Sequence, residues 1–180
     1  MRKFNVQIRF LTNTTKDSGP TLVALLKGIG FELDKSEIFS ALSAAAKYVR
    51  TSNLEPLYFV SDDARSEFPA ESPDAAKNAV VLGYAPIKYN GETLNEAVRL
   101  LCATGSGDER RCQLIAIHEA KYFQSEQGLC IGPGCFSRGL QYVSGIQPIV
   151  IGKPSRYFFE SAVPDGIQFD ECVMIGDVRI

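Results

Sequence analysis

The sequence has a single histidine, His118, and no positive charge excess: 19 Lys plus Arg stand against 21 Asp plus Glu, a net charge of -2. Duplex and single-strand binding rest on neutralising phosphates with basic side chains, so nucleic acid is not an expected partner. No apolar run approaches the roughly 20 residues that a membrane-spanning helix needs. Met1 to Phe10 alternates apolar and polar residues where an export signal would carry an apolar core. A membrane is therefore not an expected partner either, and the expected compartment is the cytoplasm. The five cysteines (Cys102, Cys112, Cys130, Cys135, Cys172) are odd in number and form no Cys-x-x-Cys pair. They read as reduced thiols, and zinc, which wants closely paired Cys or His ligands, has no such set around His118. No internal repeat and no linker divides the chain.

What is present is an ordinary globular composition, 45% hydrophobic and 22% charged over 180 residues. That suits one domain, or a small core with an insertion, able to bury roughly two-thirds of its unfolded surface. Val6 to Leu11 reads as a strand that stops at the polar cluster Thr12-Asn13-Thr14-Thr15. A helix follows, with Pro20 in its first turn, a stripe of Leu22, Leu25, Leu26 and Ile29, and Gly30 as a left-handed stop. Asp34 with Glu37 resembles a capping box and predicts a second helix running through Ala44 to about Val49. Further strands are expected at Leu57–Val60, Asn78–Gly83, Leu114–Ile117, Pro148–Ile151 and Cys172–Ile175. Helices are expected at Thr93–Leu101, Phe136–Val143 and Tyr157–Val163, and Gly128–Gly134 reads as a loop. Strands alternating with helices predict an α/β protein with a largely parallel sheet.

In such sheets ligands bind beyond the carboxyl ends of the strands, and three polar sites follow apolar strands here. Thr12-Asn13-Thr14-Thr15 offers hydroxyls and N–H groups to a phosphate oxygen, or is an ordinary turn and helix cap. Lys153, set between Gly152 and Pro154, could neutralise phosphate charge or be a plain loop lysine. Asp177, after Val173-Met174-Ile175-Gly176, suits Mg²⁺, which prefers oxygen ligands, or a turn. The acid pair Asp62-Asp63 reads as a solvated turn.

Taken in order, FLTNTTKDS (Phe10–Ser18), IGKP (Ile151–Pro154) and VMIGD (Val173–Asp177) resemble the second, third and fourth motifs of the haloacid dehalogenase (HAD) superfamily. The branch is the one with a large cap inserted between motifs two and three. Ser36–Ala46 looks like the helix after motif two, and Leu114–Tyr122 with Gly128-Leu129 and Gly132–Gly134 extends the resemblance. The resemblance implies a HAD-like Rossmann-type core with a parallel sheet, residues 1–55 and 146–180, and an α/β cap, residues 56–145. It implies an Mg²⁺-dependent phosphohydrolase acting on a small phosphorylated substrate or a phosphoprotein, with a homo-oligomer compatible. By matching position, Thr12 and Asn13 would bind phosphoryl oxygens, Lys153 would steady nucleophile and phosphate, and Asp177 would ligate the metal.

One element of the pattern is not found. The family's first motif is an apolar strand ending in an aspartate nucleophile, followed by Gly-Thr, and no segment here matches it. The expectation is an incomplete core, a chain shortened at both ends, and weak or absent turnover. The alternative is a non-catalytic pseudophosphatase that serves as an interaction module.

Overall fold

The computed structural model describes residues 6–103 and 112–176. Its elements run β1 (Phe10–Thr12), α1 (Gly19–Gly28), β2 (Ile38–Ser40), α2 (Ala41–Thr51), β3 (Pro56–Phe59), the single turn α3 (Asp62–Arg65), and β4 (Ala79–Leu82). They continue with α4 (Gly91–Cys102), β5 (Gln113–Ala116), β6 (Tyr122–Ser125), β7 (Gly128–Ile131), α5 (Gly134–Ser144), β8 (Ile149–Val150) and α6 (Arg156–Ala162). The mixed α/β reading holds, with a parallel sheet of order β3-β4-β5-β8.

The short apolar runs form the middle of that sheet because a parallel strand covered on both faces has no polar side to show. All of Ala79–Leu82 and Leu114–Ala116 is buried. Side chains alternate between faces along each strand. Ala79, Val81 and Ile115 therefore join the cluster that α2 builds with Leu42, Ala45 and Val49, and that α6 closes with Phe158. Val80, Leu82 and Leu114 join the opposite cluster with Ala97 and Leu101 of α4 and Leu140 of α5. On that second face Tyr89 stacks between Phe59 and Phe136, at 5.2 and 3.8 Å, and its hydroxyl donates to Gly83 O at 2.7 Å.

β1 and β2 form a separate parallel pair, Phe10 opposite Ile38 and Thr12 opposite Ser40. Phe39 carries this pair onto the core by packing on Phe158, ring to ring at 5.3 Å. Helix α1 begins and ends as its sequence predicts. Ser18 caps it, Pro20 sits in its first turn, and Gly30 follows at φ +94°. Its apolar stripe, however, is only partly covered. Leu22 and Leu26 face Phe10, Phe31 and Leu33 across a shallow groove, while Leu25 and Ile29 remain 55% and 72% exposed.

Four expectations need correction. Asp34 and Glu37 do form a capping box, but it closes one 3₁₀ turn, Lys35–Glu37. The chain then extends as β2, and Ser40 with Ser43 makes a second box that opens α2. The helix thus starts at a pair of serines, each side chain accepting the other's backbone N–H. Residues 122–131 are a hairpin, Tyr122 opposite Ile131 and Ser125 opposite Gly128, whose second strand takes Gly128–Ile131 out of the expected Gly128–Gly134 loop. Its turn glycine sits at φ +108°, which glycine alone adopts without strain. The Val6–Leu11 strand is shorter than read, beginning at Phe10. Cys172–Ile175 is not a strand: Val173 and Ile175 are 87% and 73% exposed. β-propensity acts through cross-strand partners, and without a ladder the run stays irregular. β8, outside the expected 56–145 segment, pairs with β5 through Ile115–Ile149 and Ala116–Val150.

Candidate functional site

Parallel strands deliver their carboxyl ends to one side of a sheet, and here the loop after β1 meets several of them. Tyr84 after β4, His118 after β5 and Lys153 after β8 each bond residues 12–18.

The tightest link joins Asn13 to Lys153. Lys153 N–H donates to Asn13 Oδ1 at 2.7 Å, and Asn13 Nδ2 donates back to Lys153 O at 3.0 Å. One amide side chain thereby satisfies both backbone groups of one residue. The approach requires Gly152, because a Cβ there would lie 2.7 Å from Asn13 Oδ1 and 2.7 Å from Ile117 O. Lys153 folds back so that Nζ donates to Leu11 O at 3.2 Å. The ammonium has two further N–H donors. Thr12 Oγ1 accepts from Thr14 N–H at 3.2 Å, which leaves its own proton to give. A hydroxyl and an ammonium with protons to give thus lie on two segments that the Asn13 amide ties together, donors of the kind that oxyanions take.

The rest of the loop is fastened in turn. Thr15, buried, accepts from Tyr84 N–H at 3.1 Å and lies 3.3 Å from His118 Nε2. Ser61 Oγ donates to Lys16 O at 2.8 Å. Asp63 receives Ser18 N–H at 2.7 Å, Ser18 Oγ at 2.9 Å and Thr21 Oγ1 at 3.1 Å, so a carboxylate caps the start of α1 from outside the helix. Glu67 receives Gly19 N–H at 2.8 Å and pairs with Lys35 at 3.3 Å. Negative side chains are favoured at a helix N-terminus. The Ser18 backbone N–H, ahead of the two hydroxyls, holds the Asp63 carboxyl below its ordinary pKa. Burial holds the His118 imidazole below its ordinary value by penalising the charged ring.

The structure therefore brings Thr12, Asn13 and Lys153 together although Lys153 stands 140 residues from Asn13. Asn13 spends its amide on the Lys153 backbone. Asp177 lies outside the described residues. Among the described residues no three His, Cys, Asp or Glu side chains gather to hold a metal, so this donor set does not by itself make a Mg²⁺ site. Asp63 is an exposed acid of the turn α3, as the sequence suggested, but it also accepts from Ser18 and Thr21 at the start of α1. His118 and Asp63 were missed as site residues, and Thr15 was read only as part of its polar cluster. The one available signal was a lone histidine directly after the apolar run Leu114–Ile117.

A family model described as haloacid dehalogenase-like hydrolase matches residues 1–71. Haloacid dehalogenase-like hydrolase domain-containing protein 2 of Mus musculus is 39% identical over 178 residues, 98% of this chain and 66% of that protein. Phospholysine phosphohistidine inorganic pyrophosphate phosphatase of Bos taurus is 30% identical over 178 residues, 98% of this chain and 64% of that protein. The chain thus spans just under two thirds of the length of these relatives. A glycerol phosphate phosphatase from Mycobacterium tuberculosis, solved in complex with magnesium, matches with a TM-score of 0.73 at 21% identity, over 88% of this chain and 49% of that one.

Proposed function

The chain belongs to the haloacid dehalogenase-like hydrolase family, and from that premise we propose that its residues form the phosphate-binding part of a phosphoric ester hydrolase. The observation that carries this reading is the Asn13–Lys153 clamp, which ties the loop that bears Thr12 to the loop that bears Lys153 at the carboxyl ends of β1 and β8. Phosphoryl transfer asks a protein chiefly for positioning and charge neutralisation, and these groups supply both.

In the proposed mechanism Thr12 O–H and the free donors of Lys153 take the phosphoryl oxygens, and Asn13 keeps the two segments in register. Hydrolysis through a covalent phosphoenzyme needs a carboxylate nucleophile. The acids near the loop, Asp63 and Glu67, are committed to the start of α1. We therefore propose that the chain as given binds phosphate and turns over esters weakly. Mg²⁺ belongs to the proposal through Asp177 and the magnesium-bound relative; its contribution when bound is neutralisation of phosphoryl charge. The substrate we propose is a small phosphorylated molecule or phosphoprotein.

The test is steady-state hydrolysis of an aryl phosphate with Mg²⁺, by this chain and by a version preceded by a strand ending in Asp-x-Ser-Gly-Thr, together with calorimetric binding of inorganic phosphate. Phosphate binding by both, with robust turnover only in the extended version, is the expected result. Robust turnover by the chain as given would identify a different nucleophile and overturn the inactive reading.

A further inference from the structure

One buried hydroxyl of the loop after β1, that of Thr15, meets the chain's single histidine, whose protonation is fixed from its other side. Ala120 N–H donates to His118 Nδ1 at 3.2 Å. A backbone N–H can only donate, so Nδ1 bears no proton, and the neutral ring carries its proton on Nε2. Nε2 lies 3.3 Å from Thr15 Oγ1 and therefore donates to it. Tyr84 N–H donates to the same oxygen at 3.1 Å. Both lone pairs of the Thr15 hydroxyl are then occupied, and the loop is pinned to the ends of β4 and β5 through one oxygen atom.

Resting on the phosphate-site reading, we propose that His118, in its Nε2–H tautomer, is a positioning residue that fixes Thr15 and with it the phosphate-binding loop. It does not touch the anion. It acts through Thr15, three residues from Thr12. A second proton on the ring would have to sit on Nδ1, against the Ala120 N–H, so protonation opposes the arrangement and loosens the loop. Burial works in the same direction by disfavouring the imidazolium.

The charged groups on the packed elements are accounted for. Glu119 is turned onto α5, accepting from Ser137 Oγ at 2.7 Å and pairing with Arg138 at 2.6 Å. Lys88, beyond Tyr84, pairs with Asp62 at 3.2 Å. Lys153 bonds Leu11 O at 3.2 Å. Lys16 and Asp17 lie on the loop itself, and Lys121 follows the ring by three residues.

Because the chain has one histidine, selective ¹⁵N-histidine labelling reads this ring alone, in the unaltered protein. The expected spectrum is a neutral Nε2–H imidazole titrating below the ordinary 6.5. Inorganic phosphate affinity is then measured across pH for the unaltered chain, Thr15→Val, Thr15→Ser and His118→Gln. Thr15→Val should weaken phosphate binding about tenfold, the equivalent of one hydrogen bond, and Thr15→Ser should restore it. Glutamine keeps a donor but does not titrate. The ratio of unaltered to His118→Gln affinity should therefore be flat at neutral pH and fall as the ring protonates, the phosphate's own ionisation cancelling. An Nδ1–H ring, a ring titrating at or above 6.5, or unweakened phosphate binding by Thr15→Val overturns this inference and leaves the phosphate site standing. Failure of the unaltered chain to bind phosphate, with the Nε2–H tautomer seen, overturns the phosphate reading and the positioning role built on it.

Discussion

Asn13 grips both the N–H and the carbonyl of Lys153, at 2.7 and 3.0 Å, across 140 residues of chain. This pair of bonds ties the β1 loop to the end of the main sheet. Each such bond contributes a net ~0.5–1.5 kcal/mol, so Asn13→Ala should cost about 1–3 kcal/mol, read as a lower denaturation midpoint at unchanged slope. An unchanged midpoint would mean that the clamp contributes nothing to the fold.

Gly152→Ala should be damaging for a steric reason. The added methyl would stand 2.7 Å from Asn13 Oδ1 and from Ile117 O, and the latter is backbone that cannot swing aside. Overpacking of this kind costs roughly 1–3 kcal/mol. Thermal unfolding of Gly152→Ala beside Gly139→Ala, whose added Cβ meets nothing within 4 Å, isolates the effect. Equal melting temperatures would contradict the close approach.

Asp63 gives a pH signature with a definite sign. Its carboxyl is held below the ordinary 3.8 by Ser18 N–H and the neighbouring hydroxyls. A depressed folded-state pKa contributes stability that is present above the unfolded value and lost as pH falls through the folded one. Asp63→Asn should therefore be less stable than the unaltered chain at pH 7, with the gap closing below about pH 4. Because the group is exposed, the gap should be small and should shrink with added salt. A gap constant from pH 7 to 3 would show that the carboxylate charge plays no part.

Lys153→Met removes the ammonium while keeping a similar stem. Hydrogen bonds to charged groups are worth roughly 1.5–3 kcal/mol, so inorganic phosphate should bind about 10–100-fold more weakly. Lys153→Arg should recover part of the loss and no more, since a fork replaces a point charge. Calorimetry reads both variants, and phosphate affinity indifferent to Lys153→Met would remove the lysine from the site.

The sequence by itself determined the class and the working parts of the main sheet. Ala79–Leu82 and Leu114–Ala116 are short apolar runs between turn signals, and a strand buried on both faces needs no information beyond that. Pro20 and Gly30 bracket α1 because local backbone preference acts within a few residues. The cluster Thr12-Asn13 and Lys153 was legible as a candidate from residue type after a strand, and motif resemblance linked them. What only the tertiary structure decided depends on partners distant in sequence. Val173–Ile175 has strand composition but no ladder, and it stays exposed. Asp63 looks like any turn acid until Ser18 and Thr21 arrive from 45 and 42 residues away. His118 and Thr15 lie 103 residues apart, and the tautomer of the ring is set by Ala120 N–H. A side chain's reach is a few ångströms, so which polar groups it meets is a property of the folded carboxyl edge and not of local pattern.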